Sequence, residues 1–202
     1  MFVQVIQGRT SDPAGMKAHL EAWVRELAPG ATGWLGSTAG VTDDGRAVAL
    51  ARFESEEAAR ANSERPEQGQ WWERMAALYD EEPTFRDSTV VDVDTPGDPA
   101  QATFVQVMQG RVSDPERARK LMAEAPDDMN ASRPDVIGTV FAAHDDDFWT
   151  MAVYFTSEAE AREGEQKEMP PEVAEVMQEL DSLAVGETRY LDLRDPWLFS
   201  PS

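Results

Sequence analysis

Phe2-Val-Gln-Val-Ile-Gln-Gly-Arg-Thr-Ser-Asp-Pro13 returns as Phe104-Val-Gln-Val-Met-Gln-Gly-Arg-Val-Ser-Asp-Pro115, with ten of twelve positions identical at an offset of 102. Only Ile6/Met108 and Thr10/Val112 differ. The register continues without a gap: Gly36 falls on Gly138, Asp43-Asp44 on Asp145-Asp146, and Phe53 on Phe155. Ser55-Glu56 falls on Ser157-Glu158, Ala59-Arg60 on Ala161-Arg162, Met75 on Met177 and Leu78 on Leu180. Near its end the second copy reads as two residues shorter, which places Val91-Asp92-Val93 on Leu191-Asp192-Leu193. The chain is therefore a head-to-tail duplication. Each copy is domain-sized, well beyond the roughly 20–50-residue periods of solenoids. The expected boundaries are a first module at 1–95, a linker at 96–100, a second module at 101–195 and a tail at 196–202. Pro and Gly in Asp94-Thr-Pro-Gly-Asp-Pro-Ala100 end regular structure between the copies.

Within one copy, residues 2–7 are β-branched and apolar around two glutamines and read as a strand. Ser11-Asp12-Pro13 is a helix start, with a capping side chain followed by Pro in the first turn. Met16, Leu20, Trp23, Val24 and Leu27 then recur at helical spacing and form one buried stripe. Pro29-Gly30 stops that helix. Trp34 to Val41 and Ala47 to Phe53 read as strands joined by the Asp43-Asp44-Gly45 turn. Ser55-Glu56-Glu57 opens a second helix, interrupted around Pro66 and resumed through Trp71, Trp72, Met75 and Leu78. Thr84 to Val93 reads as a fourth strand. The order β-α-β-β-α-β is the ferredoxin-like arrangement, in which helices cover one face of the sheet.

Composition narrows function by exclusion. Lys+Arg number 18 and Asp+Glu 39, a net charge of −21, which opposes nucleic acid and anionic membranes. There are no cysteines, so disulfides, thiol nucleophiles and cysteine metal sites are excluded. No apolar run approaches the ~20 residues of a membrane span, and the N-terminus lacks a secretion-signal pattern. A cytoplasmic location is expected.

The element order and the aromatic second helix resemble the dimeric α/β-barrel superfamily, and within it the antibiotic biosynthesis monooxygenase-like proteins. The resemblance covers nearly the whole chain as pattern. It implies an α+β fold in which two ferredoxin-like βαββαβ modules form an intramolecular pseudo-dimeric α/β barrel. It implies a pocket between the sheet and the helices of one module. The haem-degrading branch uses an Asn near the end of the first strand, a Trp on the second helix and a His about ten residues later. Carried over, these positions fall on Gln7, on Trp71 or Trp72, and near Tyr79, where no His stands; the histidines are His19 and His144. The cofactor-free branch holds an aromatic substrate with polar and aromatic groups, and Asn62, Trp71, Trp72, Tyr79 and Arg86 are of those types.

The expected function is thus a cofactor-independent monooxygenase acting on an aromatic or polyketide-like small molecule, with no cofactor. Trp72, Tyr79 and Asn62 are its catalytic candidates, and Gln7, Trp71 and Arg86 its substrate-binding candidates. The alternatives are a non-catalytic small-molecule-binding or stress-related protein and a haem-binding protein. A structural reading stands beside each choice. Trp71, Met75 and Leu78 share helical spacing and read as core, and Gln4 and Gln7, repeated as Gln106 and Gln109, read as structural amides. His144-Asp145-Asp146-Asp147 overlies the hairpin turn and reads as a turn rather than a metal site. The copies diverge at the candidate pocket: Trp71-Trp72 becomes Val173-Ala174, Asn62 becomes Gly164 and Tyr79 becomes Asp181, while the second copy carries Phe141, Phe148, Trp149 and Tyr154 on its hairpin. The first copy is the expected site. A monomer is expected over a homodimer, with Trp197, Leu198 and Phe199 folding back on their own chain across the other module, because three adjacent apolar residues left in water form a sticky patch; the alternative is that the tail docks on a second chain.

Overall fold

The computed structural model describes residues 1–124 and 133–201. The chain divides into two compact units, Met1–Val91 with Asp195–Ser202, and Asp92–Arg194. Ser202 and residues 125–132 lie outside the described residues.

In the first unit the order is β1 (Phe2–Arg9), α1 (Pro13–Glu26), β2 (Trp34–Val41), β3 (Arg46–Phe53), α2 (Glu56–Ser63), α3 (Pro66–Ala76) and β4 (Thr84–Ser88). The chain then forms β5 (Val90–Asp94) and β6 (Phe104–Val112). It continues through α4 (Pro115–Ala123), β7 (Val136–Ala143), β8 (Phe148–Phe155), α5 (Glu158–Glu165), α6 (Pro171–Leu183), β9 (Ala184–Leu193) and β10 (Trp197–Phe199). The two sheets run β10-β2-β3-β1-β4 and β5-β7-β8-β6-β9. Both modules thus share one strand order, and the fold is α+β with two ferredoxin-like modules. None of the helices among the described residues is long and apolar enough to cross a membrane.

The duplication repeats the local devices. Asp12 accepts from the Gly15 amide at 2.9 Å and Asp114 from Arg117 at 2.9 Å. Ser55 and Ser157 cap the next helices, accepting from Ala58 and Glu160. Such caps contribute about 1 kcal/mol each. Gln4 and Gln106 each donate to an aspartate on the neighbouring strand, Asp87 and Asp192, at 2.9 Å. The repeated glutamines at these positions therefore tie strands together.

The match of Val91-Asp92-Val93 to Leu191-Asp192-Leu193 does not hold in space. Val3 pairs with Ser88 and Val105 with Leu193, an offset of 193 − 88 = 105 against 102 elsewhere. The second copy is three residues longer before its last pairing, not two shorter. The expected strand Thr84–Val93 is also two strands. Ser88 breaks it: its hydroxyl donates to the Val90 carbonyl and accepts from the Val90 amide, both at 3.1 Å. Beyond the break β5 joins the second sheet, beside β7.

The tail folds back as expected. Trp197, Leu198 and Phe199 pair antiparallel with Ala39, Thr38 and Ser37 on the edge strand β2. Gly36, at a bulge in β2, permits the approach, since a Cβ there would meet the Phe199 carbonyl oxygen at 2.7 Å. The hairpin turns also correspond. Gly45 (φ 81°) sits where the second copy has Asp147 (φ 59°), and Asp tolerates that left-handed conformation better than most residues.

Candidate functional site

Alternation along strands sets which residues meet the helices. Across the first sheet one row reads Trp197, Ala39, Ala49, Ile6, Phe85, each paired with the next. The adjacent row holds Val41, Ala47 and Gly8. The floor is therefore alanine and glycine at its centre, with large side chains at its edges. Gly8 is needed as glycine, because a Cβ would lie 2.5 Å from the Tyr79 ring.

Above the floor stand α1 and α3. Met16 and Leu20 descend from α1, Trp71, Trp72 and Met75 from α3, and Tyr79 from the turn after it. Trp71 is 7 % exposed and is clamped to α1. Its indole N–H donates to the His19 carbonyl at 3.2 Å, and His19 Nε2 lies 3.1 Å from the Trp71 carbonyl. The two rings stack with centroids 5.0 Å apart and planes 1° from parallel. Trp23 lies against Trp71 at 6.2 Å, and its N–H donates to Gln68. Trp72 meets Phe85 edge-on at 5.2 Å, and Phe85 is 47 % exposed.

Between floor and helices lies a cavity of about 30 Å³, lined by Ile6, Met16, Leu20, Ala39, Gly40, Ala47, Val48, Ala49, Trp71, Trp72, Met75, Tyr79 and Trp197. That is room for a water or two. Tyr79 is the one ionisable side chain of the lining. Burial pushes its phenol up to about 12, because the phenolate loses hydration there. Its hydroxyl makes no hydrogen bond to the described residues and, not being fully buried, reaches solvent.

The structure brings together three of the six sequence candidates, Trp71, Trp72 and Tyr79. It places the others elsewhere. Asn62 is buried where α2 meets α3, and its carbonyl accepts from Arg65 Nη1 at 2.9 Å. That same nitrogen donates to the Leu27 carbonyl at 3.2 Å, so Asn62 helps to anchor the end of α1. Gln7 pairs with Val48 and Thr84, and Arg86 with Val5. Both side chains belong to the strand face opposite Ile6 and Phe85. Sequence reading missed the floor and Trp197. The signal for the floor was present in the repeat: Ala39, Ala47 and Ala49 stand where the second copy has Phe141, Trp149 and Met151. For Trp197 no local signal existed, since its partner strand lies more than 150 residues earlier.

His144 lies 3.0 Å from the Thr150 hydroxyl through Nε2, and Gln109 donates to the same hydroxyl at 3.2 Å. No group of three metal-ligating side chains occurs among the described residues.

The sequence matches no family model, and no curated protein matches it. Solved structures do match its fold. Two proteins named "putative monooxygenase", from Lactobacillus acidophilus and Fusobacterium nucleatum, superpose with TM-scores of 0.72 and 0.77 at 13% and 10% identity. They cover 98% of this chain, and 98% and 94% of their own. A structure described as an anthrone oxidase-like protein gives 0.66 at 13% identity, covering 98% of this chain and 93% of its own. The chain shares the overall fold of these solved structures.

Proposed function

We propose that the first module binds a planar aromatic small molecule in the cavity under Trp71 and Trp72 and promotes its oxidation by O₂, as a monooxygenase. The observation that carries this reading is an apolar, tryptophan-walled cavity with one phenol, Tyr79, in its lining. The likeness in fold to proteins named monooxygenase and anthrone oxidase-like supports the class. The indoles of Trp71 and Trp72 offer faces for stacking, which favours flat rings over flexible chains.

An activated methylene beside a phenolic ring needs no external electrons. R₂CH₂ + O₂ gives R₂C=O + H₂O: the methylene loses a proton, the carbanion adds oxygen, and the hydroperoxide loses water. Tyr79, held protonated by burial, would donate a hydrogen bond to the ring oxygen and stabilise the enolate-like charge. The methylene proton leaves to solvent, and one proton returns from solvent to the peroxide anion to give the hydroperoxide. Trp72 orients the ring. The tail already returns to the first module, and we take the chain to act as a monomer.

A second reading keeps its place for one reason. The lining contains no carboxylate, imidazole or amine to serve as general base, which suits a carrier or sensor of the same ligand class. Oxygen consumption with anthrone separates the two. The oxygenase reading requires uptake above the uncatalysed rate that falls at least tenfold in Trp72→Ala. Saturable quenching of tryptophan fluorescence by anthrone without added oxygen uptake would leave a binding protein.

A further inference from the structure

The cavity is an order of magnitude smaller than the several hundred Å³ that drug-sized ligands occupy, so some wall has to move. The walls differ in how they are held. The strands β1, β2 and β3 are bonded on both sides within the sheet. The helices α1 and α3 are joined by the paired His19–Trp71 hydrogen bonds and their stacked rings. By contrast β10 is three residues long, sits at the sheet edge and pairs with β2 alone. Besides that ladder, it is held by Trp197 in the core with Phe199 packed against it, and by the Lys17–Asp195 ion pair at 2.8 Å, in which Asp195 is 78% exposed. Exposed pairs of this kind hold weakly. Yet β10 carries the largest side chain that a strand sends to the cavity, Trp197, which is 5 % exposed.

Trp197 lies at the end of the row Trp197, Ala39, Ala49, Ile6. Its fused two-ring indole covers the small floor from the open side, much as a bound aromatic ligand would. Resting on the ligand site proposed above, we infer that β10 is the movable wall of the cavity and that Trp197 sets what it admits: neutral fused-ring aromatics of indole size or larger, which take the indole's place when the strand swings out. Neutrality follows from the lining, which offers neither a cation to pair with an anion nor a carboxylate to pair with a cation. Strand release breaks a short ladder and one exposed ion pair and withdraws Trp197 and Phe199 from the core, a loss the incoming ring offsets by taking the indole's place, and it leaves the central strands and the helix clamp intact.

The test uses the full chain and the neutral fluorescent probe N-phenyl-1-naphthylamine, with binding followed by probe emission. Trp197→Ala is expected to bind at least tenfold more tightly than the unchanged chain. Adding Ala49→Phe to that variant is expected to abolish binding, because it fills the floor. Lys17→Met keeps the indole but cuts the tie, and is expected to raise the association rate severalfold. Equal affinity and equal association rates across the unchanged chain, a cooperatively unfolding Trp197→Ala and Lys17→Met overturn the inference. If Trp197→Ala does not fold, Lys17→Met alone decides by its association rate. Anthrone oxidation keeps the two proposals apart. Tighter probe binding without oxygen uptake in any variant retains the movable wall and removes the oxygenase. Oxygen uptake with the same KM in the unchanged chain and in Trp197→Ala does the reverse.

Discussion

The two modules share strand order, caps and hairpin turns, yet they place their bulk on opposite sides of the same layer. In the first, the sheet presents Ala39, Ala47 and Ala49, and the helix above presents Trp71 and Trp72. In the second, the sheet presents Phe141, Trp149 and Met151, and the helix presents Val173 and Ala174. Phe141 and Trp149 stack at 6.5 Å, and Trp149 lies so close over Gly110 that a Cβ there would meet its ring at 3.0 Å, where the first module has Tyr79 over Gly8. Close packing tolerates such exchanges of volume when the total is kept. An exchange across a layer is rarely atom for atom, however. A floor of alanines under indoles leaves a gap that flexible side chains would have filled. Duplication thus supplied two equal frames, and redistribution of bulk left a small apolar cavity in one of them.

Five of the six tryptophans lie in the first unit, so their emission follows that unit's unfolding. The largest expected effect comes from Trp71→Ala. It removes a buried ring, its stack on His19 and its hydrogen bond, and should cost about 3–5 kcal/mol in denaturant unfolding. Its counterpart Val173→Ala deletes two methyls and should cost about 1.6 kcal/mol. Equal losses would mean that the helix of the first module gains nothing from its aromatic wall.

Next is the exchange of floors. Ala49→Met gives the first module the second's residue, and is expected to cost about 1–3 kcal/mol by overpacking while abolishing binding of N-phenyl-1-naphthylamine. Retained binding would place the ligand elsewhere. A smaller contrast separates Gly8→Ala from Gly110→Ala. The first puts a Cβ 2.5 Å from the Tyr79 ring, the second about 3.0 Å from the Trp149 ring. Replacing a strand glycine by alanine returns roughly 0.5–1 kcal/mol of backbone entropy. Gly110→Ala should therefore be near neutral and Gly8→Ala destabilising by about 1–2 kcal/mol, readable as a difference in melting temperature.

At neutral pH the last effect vanishes. The Tyr79 phenol is pushed up to about 12, above its unfolded value near 10. A raised folded value means that stability is complete below pH about 10 and declines as pH rises through 10 to 12, where the unfolded chain ionises first. Absorbance titration should show a step near pH 12 that is missing in Tyr79→Phe. The Tyr79→Phe variant should also lose less stability than the unchanged chain over that window. A Tyr79 step near pH 10 would mean that the phenol is hydrated and the cavity open.

Read as a sequence, the chain determined its duplication, element order, helix caps and the break at Pro66, because each rests on identities or periodicities within a dozen residues. It also singled out Trp71, Trp72 and Tyr79, which lie close together along one stretch of chain. What only the tertiary structure decided depends on pairing between distant segments. One strand register puts Gln7 and Arg86 on the face away from the tryptophans, and a hydrogen bond donated by Arg65 turns Asn62 into an anchor. The Ser88 break sends Val90–Asp94 to the second sheet, and the edge of β2 receives Trp197–Phe199 from the far end of the chain. Side chains in a strand alternate at every residue, so which face a residue serves is set by the partner strand's register. That partner lies tens to more than a hundred residues away, and nothing within the local stretch records it.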